Sequence, residues 1–499
     1  MEGNFLYRTR TAIQDWAQYH FVTKKLNTGF GIALLALSAV AMSYAAVLVD
    51  YKIPVIILVG LAGILTIVLC LVNPVFGFYF SYFISGFTTL PEKIINSGPL
   101  PAGLIPEYFS YVALAGVITK QQFRKEIDKR FWNNSITIML IVLLFYYLFQ
   151  IVNPNMMSKL GWFNFMRKQL SLFAFFYASY SILNSLKAIR VLTYFWLGCS
   201  TFHALYACKQ QWFGLAGFEN TWLLSDPLRI TLFINWNYLR KFGLLSDPAS
   251  AGILYAASGN FLLAVALWAK TNKQRILFYT GAIINLLAST YTGTRTATLM
   301  IVAGIAFYCV LCLFERRTYM LLIGFTIMIV GIMVAPIYDN PVINRVRSTF
   351  EPSKDNSALI RDYNRKLVQP YIYSHPIGGG IFTSGNIGES YNPGHYLNNF
   401  PPDSGYLQIL MDQGYIGLLL VLLLYYVVLR TGIKYFYRSK THEIKQYYLA
   451  YLIFLFSMMV AMFSQMAIPM YPSVFLIFSA FALLLKMHYF DAPNGATES

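Results

Sequence analysis

The residues best suited to chemistry lie in one long polar interval, from about Ile337 to Gly417, of an otherwise apolar chain. Histidines, glycines and a carboxylate recur there, in His375-Pro-Ile-Gly-Gly-Gly380, Asn392-Pro-Gly-His395 and Asp403-Ser-Gly-Tyr-Leu407. A carboxylate or an imidazole can accept a proton as a general base. Consecutive glycine N–H groups can form an anion-binding concavity, although a plain turn gives the same letters. We therefore expect any chemistry of this protein to take place here.

Two arginines outside this interval, and one inside it, are candidate ligands for a phosphate. Arg240 lies in an aromatic-rich polar loop, Arg295 in the tight turn of Thr292–Thr298, and Arg361 in the long interval. A guanidinium can hold a phosphate through two parallel hydrogen bonds. For Arg240 and Arg295 the alternative is contact with lipid headgroups at the membrane surface.

Two aspartates lie at predicted helix starts, and each can either cap its helix or contact a substrate. Ser246-Asp-Pro is a strong helix-start pattern, because Asp247 can cap and proline suits the first helical position. Asp403 precedes an apolar run in the same way, and it can either cap that helix or face a substrate as a base.

The elements that must position these residues are membrane-spanning helices. Of 499 residues, 57% are hydrophobic and 12% are charged, whereas about 25% of residues are charged in soluble domains. Apolar runs of about 18 residues recur, each long enough to cross a hydrocarbon core. We predict an all-α polytopic integral membrane protein with about 12 to 14 transmembrane helices. The predicted spans are 29–49, 53–72, 74–90, 102–119, 135–152, 169–186, 190–208, 249–269, 275–291, 297–314, 318–336, 404–429, 446–466 and 472–488.

The distribution of lysine and arginine predicts how the chain is oriented. Most of them fall in short segments that share one side if both termini are cytoplasmic. We predict a single polytopic membrane domain over residues 1–499, without a cleavable signal peptide. Its long outward segments are a first loop at 209–248 and a large catalytic loop at 337–403, and a span at 404–430 carries the end of the polar signature. The net charge of +17 fits this bias, anionic ligands, or both.

Other motifs exclude several classes of function. The sequence has no G-x-x-x-x-G-K-[ST] loop for nucleotide hydrolysis and no H-E-x-x-H or Cys/His cluster for zinc. All five cysteines lie in or at the ends of apolar runs, so no disulfide framework is expected.

The order of these motifs resembles the O-antigen ligase and O-antigen polymerase superfamily, over roughly residues 190–430. That family commonly has Ser-Arg-Gly-Ala where this chain has Thr294-Arg295-Thr-Ala297, and Pro-x-x-Gly-x-Gly where it has Pro376-Ile-Gly-Gly-Gly380. The last family signature usually begins with His-Asn, and here Asp403-Ser takes that place.

The resemblance implies an integral membrane glycosyltransferase of the bacterial inner membrane, with a GT-C-like fold and its active loops in the periplasm. The donor would be a glycan on polyprenyl pyrophosphate. The acceptor would be lipid A core in a ligase, or another lipid-linked repeat in an O-antigen, capsule or exopolysaccharide polymerase. Membrane lipids are further expected partners. Nucleic acid is not, and neither a cofactor, a metal nor ATP is implied.

The same resemblance suggests roles for the candidate residues. Arg240, Arg295 and Arg361 would stabilise the pyrophosphate leaving group, where negative charge develops. Asp403 would take the proton of the acceptor hydroxyl, because it holds the position of the family's histidine. His395 is the alternative base, since a free histidine titrates near 6.5 and a free aspartate near 3.9. The expected substrate-binding residues are Asp247, Gly378, Gly380, Ser404 and Tyr406.

A transporter or flippase of a lipid-linked glycan is the competing class. It predicts polar or charged residues in the middle of spans and paired broken helices. The predicted spans are nearly free of such residues, and the polar groups gather in loops on one side. This pattern favours an enzyme that acts at the outer face of the membrane.

Overall fold

The computed structural model describes residues 15, 19, 28–48, 52–96, 100–124, 128–235, 238–336, 340–350, 356–400, 402 and 404–491. The described part is built almost entirely of helices. These are α1 Gly29–Leu48, α2 Lys52–Val72, α3 Pro74–Ser85, α4 Leu90–Ile95, α5 Leu104–Arg124, α6 Ser135–Phe149, α7 Lys159–Ile182, α8 Leu186–Phe213, α9 Gly217–Leu224, α10 Pro227–Phe233, α11 Pro248–Leu267, α12 Asn272–Tyr291, α13 Arg295–Leu311, α14 Arg316–Val334, α15 Pro341–Arg347, α16 Asn356–Ser374, α17 Gly385–Tyr391, α18 Gly405–Arg438, α19 His442–Ala461 and α20 Ser473–Lys486.

The prediction of an all-α polytopic membrane protein is confirmed by these helices. In the described part, six helices are long and apolar enough to cross a membrane: Ser135–Val152, Pro248–Leu267, Arg316–Val334, Gly405–Arg438, His442–Ala461 and Ser473–Phe490. Three shorter apolar helical stretches are Gly29–Val40, Gly60–Val72 and Arg295–Leu311. Each predicted span overlaps a helix, while the number of spans that cross the membrane stays a prediction.

The described strands form one small hairpin in the first loop. Strand β1 covers Ile234–Asn235 and pairs antiparallel with β2, Tyr238–Leu239. The hairpin follows directly on α10 and ends one residue before Arg240.

The packing of the chain defines two compact units, where the sequence predicts a single membrane domain. One unit comprises residues 1–79 and 111–129, and the other comprises residues 80–110 and 130–499. All the candidate site residues belong to the second unit.

The core of the second unit is formed around α11 and α19. Both helices are buried almost all round, as expected for helices that are apolar on every face. They pack against each other and against α13, and α11 also packs along α12. Inside this core, the Asn260 amide donates to the carbonyl O of Met300 (2.8 Å) and to Oγ of Ser457 (3.0 Å). These bonds join α11, α13 and α19, whose ends carry the candidate site.

Helix α18 is bent sharply near its start. Gly414 has φ 70° and ψ −169°, a conformation outside the helical region that L-residues rarely adopt. The helix is thereby divided into a short segment of about two turns and a longer membrane-spanning segment. The bend gives the Pro376–Gly378 segment of the large loop a place to pack against the helix.

Candidate functional site

Arg240 is held against the turn that joins α12 to α13. Its backbone N–H donates to the carbonyl O of Phe233 at the end of α10 (2.9 Å). Its guanidinium donates to the carbonyl O of Thr292 (3.0 Å), Oγ1 of Thr294 (3.1 Å) and the carbonyl O of Leu232 (3.2 Å). These bonds occupy three of the five guanidinium N–H groups. The other two have no hydrogen-bond partner among the described residues.

The turn Thr292–Thr294 brings two more arginines to the same place. Gly293 has a positive φ of 60°, and its carbonyl O accepts a hydrogen bond from Nε of Arg345 (3.1 Å). A Cβ on Gly293 would lie 3.5 Å from Cγ of Arg240 and 3.8 Å from Cγ of Arg345. Arg295 follows the turn as the first residue of α13. Arg240, Arg295 and Arg345 thus surround one turn, and we call them the arginine cluster.

The electrostatics of the arginine cluster favour an anion. Burial lowers the pKa of the Arg240 guanidinium, and nearby Arg295 lowers it further, against the opposing effect of Asp247. An arginine nevertheless stays charged at any ordinary pH. Positive charges held this close, partly out of water, favour the binding of an anion.

Asp247 caps α11, one of the two alternatives that the sequence left open. Its Oδ1 accepts from the backbone N–H groups of Ala249 and Ser250 (2.9 Å each). Its Oδ2 accepts from the hydroxyls of Ser246 (2.7 Å) and Ser250 (2.6 Å). Both carboxylate oxygens therefore have protein partners, and contact with a substrate stays a prediction. The same turn is tied to α11, because Oγ1 of Thr294 donates to the carbonyl O of Pro248 (3.0 Å).

The large loop contributes Arg345 to the cluster, a residue that the sequence analysis missed. It named Arg361, which lies in α16 and whose side chain is outside the described part of the structure. Arg345 and Arg347 lie in the last turn of the short helix α15. The available signal was this Arg-Val-Arg spacing in an outward loop, but nothing local showed that Arg345 folds back onto Gly293.

His395 is poorly arranged to act as a base. Its Nδ1 accepts from the backbone N–H of Leu397 (3.1 Å), which places the proton of the neutral ring on Nε2. The Nε2 atom then faces the hydroxyl of Tyr371 at 3.5 Å. Burial lowers the pKa of His395, and nearby His375 also lowers it, while a hydrogen bond involving Asn155 raises it. The nitrogen that would accept a proton, Nδ1, is therefore already occupied by a backbone N–H.

The glycine triplet does not form the predicted anion-binding concavity. The N–H of Gly378 donates to the carbonyl O of His375 (2.9 Å) and the N–H of Gly379 to that of Met411 (2.8 Å). The N–H of Gly380 donates to the carbonyl O of Asp412 (2.9 Å). All three donors have backbone partners, which favours the alternative of a turn, and contact of Gly378 and Gly380 with a substrate stays a prediction. The triplet docks the large loop onto the first segment of α18.

Ser404 and Tyr406 are anchored to the end of α19. Ser404 is buried, and its Oγ caps α18 by accepting from the backbone N–H of Leu407 (3.5 Å). The same Oγ donates to the carbonyl O of Met462 (3.2 Å). The N–H of Gly405 donates to the same carbonyl O (2.8 Å), and the Tyr406 hydroxyl donates to that of Met459 (2.8 Å). Both predicted substrate residues thus have structural contacts, and Asp403, just before them, lies outside the described residues.

The segment after α19 also joins this region to the arginine cluster. Oγ of Ser464 lies 2.6 Å from Oγ1 of Thr296, the residue after Arg295. Ser464 is two residues from Met462, whose carbonyl O holds Ser404. The structure therefore brings the neighbourhoods of Arg295 and Ser404, which are far apart in sequence, to the same short segment.

Comparison with known families links part of this region to one family. Residues 280–422 match a family model described as O-antigen ligase. The resemblance to the O-antigen ligase and polymerase superfamily is confirmed over this part of the chain. A search of curated proteins found no match. The matched residues include Arg295, Arg345 and Asp403, while Arg240 precedes them and is brought to the domain by the fold.

An apolar groove within the matched residues lies next to the arginine cluster. It has a volume of about 320 Å³ and lies between α12, α13 and α14. Thr298, one turn after Arg295, and Val346, next to Arg345, line the end of the groove that is nearest the cluster. Along its length the walls are aliphatic and aromatic, as in Ile301 and Ile329. The arginine cluster and the apolar groove are therefore adjacent.

Asp412 is a buried carboxylate within the matched residues. The sequence analysis did not select it as a site residue. Its Oδ1 accepts from the backbone N–H of Ser384 (3.1 Å) and Oγ1 of Thr383 (3.2 Å). Its sequence signal was weak, because it lies within an apolar helix at the edge of the family signature. Across the described residues, no group of three or more His, Cys, Asp or Glu is placed to hold a metal ion.

Proposed function

We propose that this protein is an O-antigen ligase, which transfers a glycan from polyprenyl pyrophosphate to lipid A core at the outer face of the bacterial inner membrane. The observation that carries the proposal is the arginine cluster at the end of an apolar groove, within and beside an O-antigen ligase domain. A polymerase uses the same donor and differs in its acceptor, so it is the second outcome of the experiment below.

The arginine cluster suits the donor's pyrophosphate. Arg240 keeps two N–H groups without a partner among the described residues, and Arg295 and Arg345 add two positive charges around the same turn. The apolar groove suits the polyprenyl chain, because its walls are aliphatic and aromatic and association inside a bilayer relies on van der Waals packing. Because the arginine cluster adjoins the apolar groove, the pair suits both the headgroup and the chain of one amphiphile.

The chemical step requires a leaving group and a base. When the bond between the sugar and the pyrophosphate breaks, negative charge grows on the leaving oxygen, and fixed guanidinium groups stabilise it without reorganising. The acceptor hydroxyl loses its proton to a base within hydrogen-bond reach. We assign that base to Asp403 rather than His395, because the basic nitrogen of His395 is already bound to Leu397.

The test is deletion of the gene followed by complementation. Wild type should restore polymer on lipid A core, whereas Arg240→Ala and Arg345→Ala should not, at equal levels in the membrane. Arg365→Ala is the matched control, since this arginine of the large loop makes only a surface ion pair with Asp362 (3.3 Å).

The glycan that accumulates identifies the reaction. Long glycan left on the lipid carrier, with bare core, indicates a ligase. Single repeats still attached to the core indicate a polymerase. Unchanged surface glycan in the deletion strain would refute both assignments.

A further inference from the structure

The chain that follows Arg240 is buried although it forms neither helix nor strand. Residues 241–247, which we call the connecting segment, run from Arg240 to Asp247, the cap of α11. Phe242, Leu244 and Leu245 in this segment are each less than 5% exposed. Buried backbone groups outside regular secondary structure need hydrogen-bond partners from elsewhere in the fold. The residues that supply these partners therefore fix the course of the chain next to Arg240.

Helix α4 and the residue before it bind three consecutive carbonyl groups of the connecting segment. Lys93 is only 1% exposed, and its Nζ donates to the carbonyl O of Leu245 (2.5 Å) and of Gly243 (3.4 Å). Oγ1 of Thr89 donates to the carbonyl O of Leu244 between them (2.7 Å). A lysine is almost never fully buried unless it is paired. Here the pairing is with backbone, so Lys93 acts on the path of the chain.

Helix α8 binds the same segment through a buried amide. Oε1 of Gln210 accepts from the backbone N–H groups of Phe242 (3.2 Å) and Gly243 (2.8 Å). Its Nε2 donates to the carbonyl O of Gly243 (3.2 Å) and to Oε1 of Glu219 in α9 (2.7 Å). Gln210 and Glu219 are both buried. Because buried hydrogen bonds in a connected network strengthen one another, this part of the segment has little freedom to shift.

The first residue of the connecting segment is bound beside the arginine cluster. The N–H of Lys241 donates to the carbonyl O of Tyr291 (3.1 Å), the last residue of α12. The next residues, Thr292–Thr294, form the turn that receives the guanidinium of Arg240. The segment thus joins the turn to α4 and α8. A shift of its middle part is transmitted to the backbone of Arg240.

The hold of Lys93 on the segment does not require a positive charge. A neutral amine keeps two N–H groups, enough for the carbonyl groups of Gly243 and Leu245. Methionine at this position offers no N–H group and leaves both carbonyl groups without this donor.

We propose that Lys93 is a positioning residue for glycan transfer, which holds Arg240 in place by binding the backbone of the connecting segment. Thr89 and Gln210 assist it through their bonds to the same segment. The proposal rests on the proposed transferase function and extends the site to α4, outside the residues that match the family model. Misplacing a reacting or stabilising group by about 1 Å can cost about 100-fold in rate, so the effect is measurable.

The test is a double-mutant cycle of Lys93→Met and Arg240→Ala on the full chain in proteoliposomes, with lipid-linked glycan as donor and lipid A core as acceptor. We expect Lys93→Met alone to lower kcat/KM about tenfold, and Arg240→Ala alone about 100-fold. Adding Lys93→Met to Arg240→Ala should change the rate by less than about twofold, because Lys93 acts through Arg240. A lysine with a merely structural role would lower the rate equally in both backgrounds.

Two further variants support the cycle. Thr89→Val, a change of nearly equal volume, removes one bond to the segment and should give a severalfold fall that Arg240→Ala abolishes; it serves if Lys93→Met does not fold. Lys486→Met is the matched control at the end of α20. Lys486 also donates to a backbone carbonyl, that of Tyr180 (2.7 Å), and lies over the ring of the same tyrosine (4.6 Å). Its loss should lower thermal stability and leave transfer unchanged.

A binding measurement separates this proposal from the proposed function. The affinity of the same proteins for inorganic pyrophosphate, measured by titration calorimetry, reports on Arg240 without any transfer. Weaker binding in Lys93→Met, with no further loss when Arg240→Ala is present, would support the positioning role even if the wild type transferred no glycan, and that failure would refute the proposed function alone. Additive losses, or an equal effect of Lys486→Met, would overturn the positioning role and leave the proposed function standing.

Discussion

The contact between the large loop and the bend in α18 allows a quantitative prediction for Gly414→Ala. A Cβ at Gly414 would overlap the carbonyl O of Pro376, and it would lie 2.5 Å from the carbonyl carbon of Ile377 and 2.6 Å from the nitrogen of Gly378. These are backbone atoms, so no side chain can rotate to make room. The φ and ψ angles of Gly414 add strain of about 1–3 kcal/mol for any other residue.

The hydrogen bonds at this contact set the rest of the magnitude. The N–H of Tyr415 donates to the carbonyl O of Pro376 (2.9 Å), and the N–H groups of Gly379 and Gly380 donate to α18. If the loop separates to relieve the overlap, three bonds worth about 1 kcal/mol each are lost. We therefore expect Gly414→Ala to lower the free energy of unfolding by about 4–6 kcal/mol.

The assay combines thermal unfolding in detergent with limited proteolysis. At about 2 °C per kcal/mol for a large domain, the melting temperature should fall by about 10 °C. Cleavage between residues 376 and 404 should rise as the loop detaches. Gly324→Ala is the matched control, because nothing lies within 4 Å of a Cβ at that glycine in α14. A Gly414→Ala protein with unchanged melting temperature and cleavage would refute the docking role of the bend.

Further predictions concern charge and protonation. Arg345→Ala should lower the rate of glycan transfer about 100-fold, as loss of one donor to a developing anion commonly does. Arg345→Lys should retain only part of the wild-type rate, and both rates are measured at matched protein levels. Asp247→Ala should lower the free energy of unfolding by about 1 kcal/mol through loss of the α11 cap, seen as a small fall in melting temperature. His395→Gln should retain most activity and Asp403→Asn should lose it, and the reverse result would make His395 the base. Burial lowers the pKa of Lys93 in α4 to about 7, although nearby Glu219, Asp247 and Glu92 each raise it. Between pH 7 and pH 10 the unfolded chain therefore binds more protons than the folded one, and the free energy of unfolding should rise with pH. Lys93→Met should flatten this rise in a series of thermal melts.

The sequence by itself determined the fold class and the region of the site. Hydropathy is local, so runs of apolar residues predicted a helix at every proposed span. The turn at Thr292–Thr294 and the cap at Asp247 were likewise readable, because a few adjacent residues specify them. The motif order sufficed to recognise the superfamily to which residues 280–422 match.

Only the tertiary structure decided which polar groups are free to act. Arg345 joins the cluster through a bond to Gly293, a contact between residues 52 positions apart that no local pattern encodes. The same holds for Gly379 and Gly380, whose N–H groups donate to α18. The residue type determines which hydrogen bonds a side chain can donate or accept. Whether that donor or acceptor is left unpaired for a substrate depends on long-range packing, because buried polar groups in a folded protein are nearly always hydrogen-bonded to other protein groups.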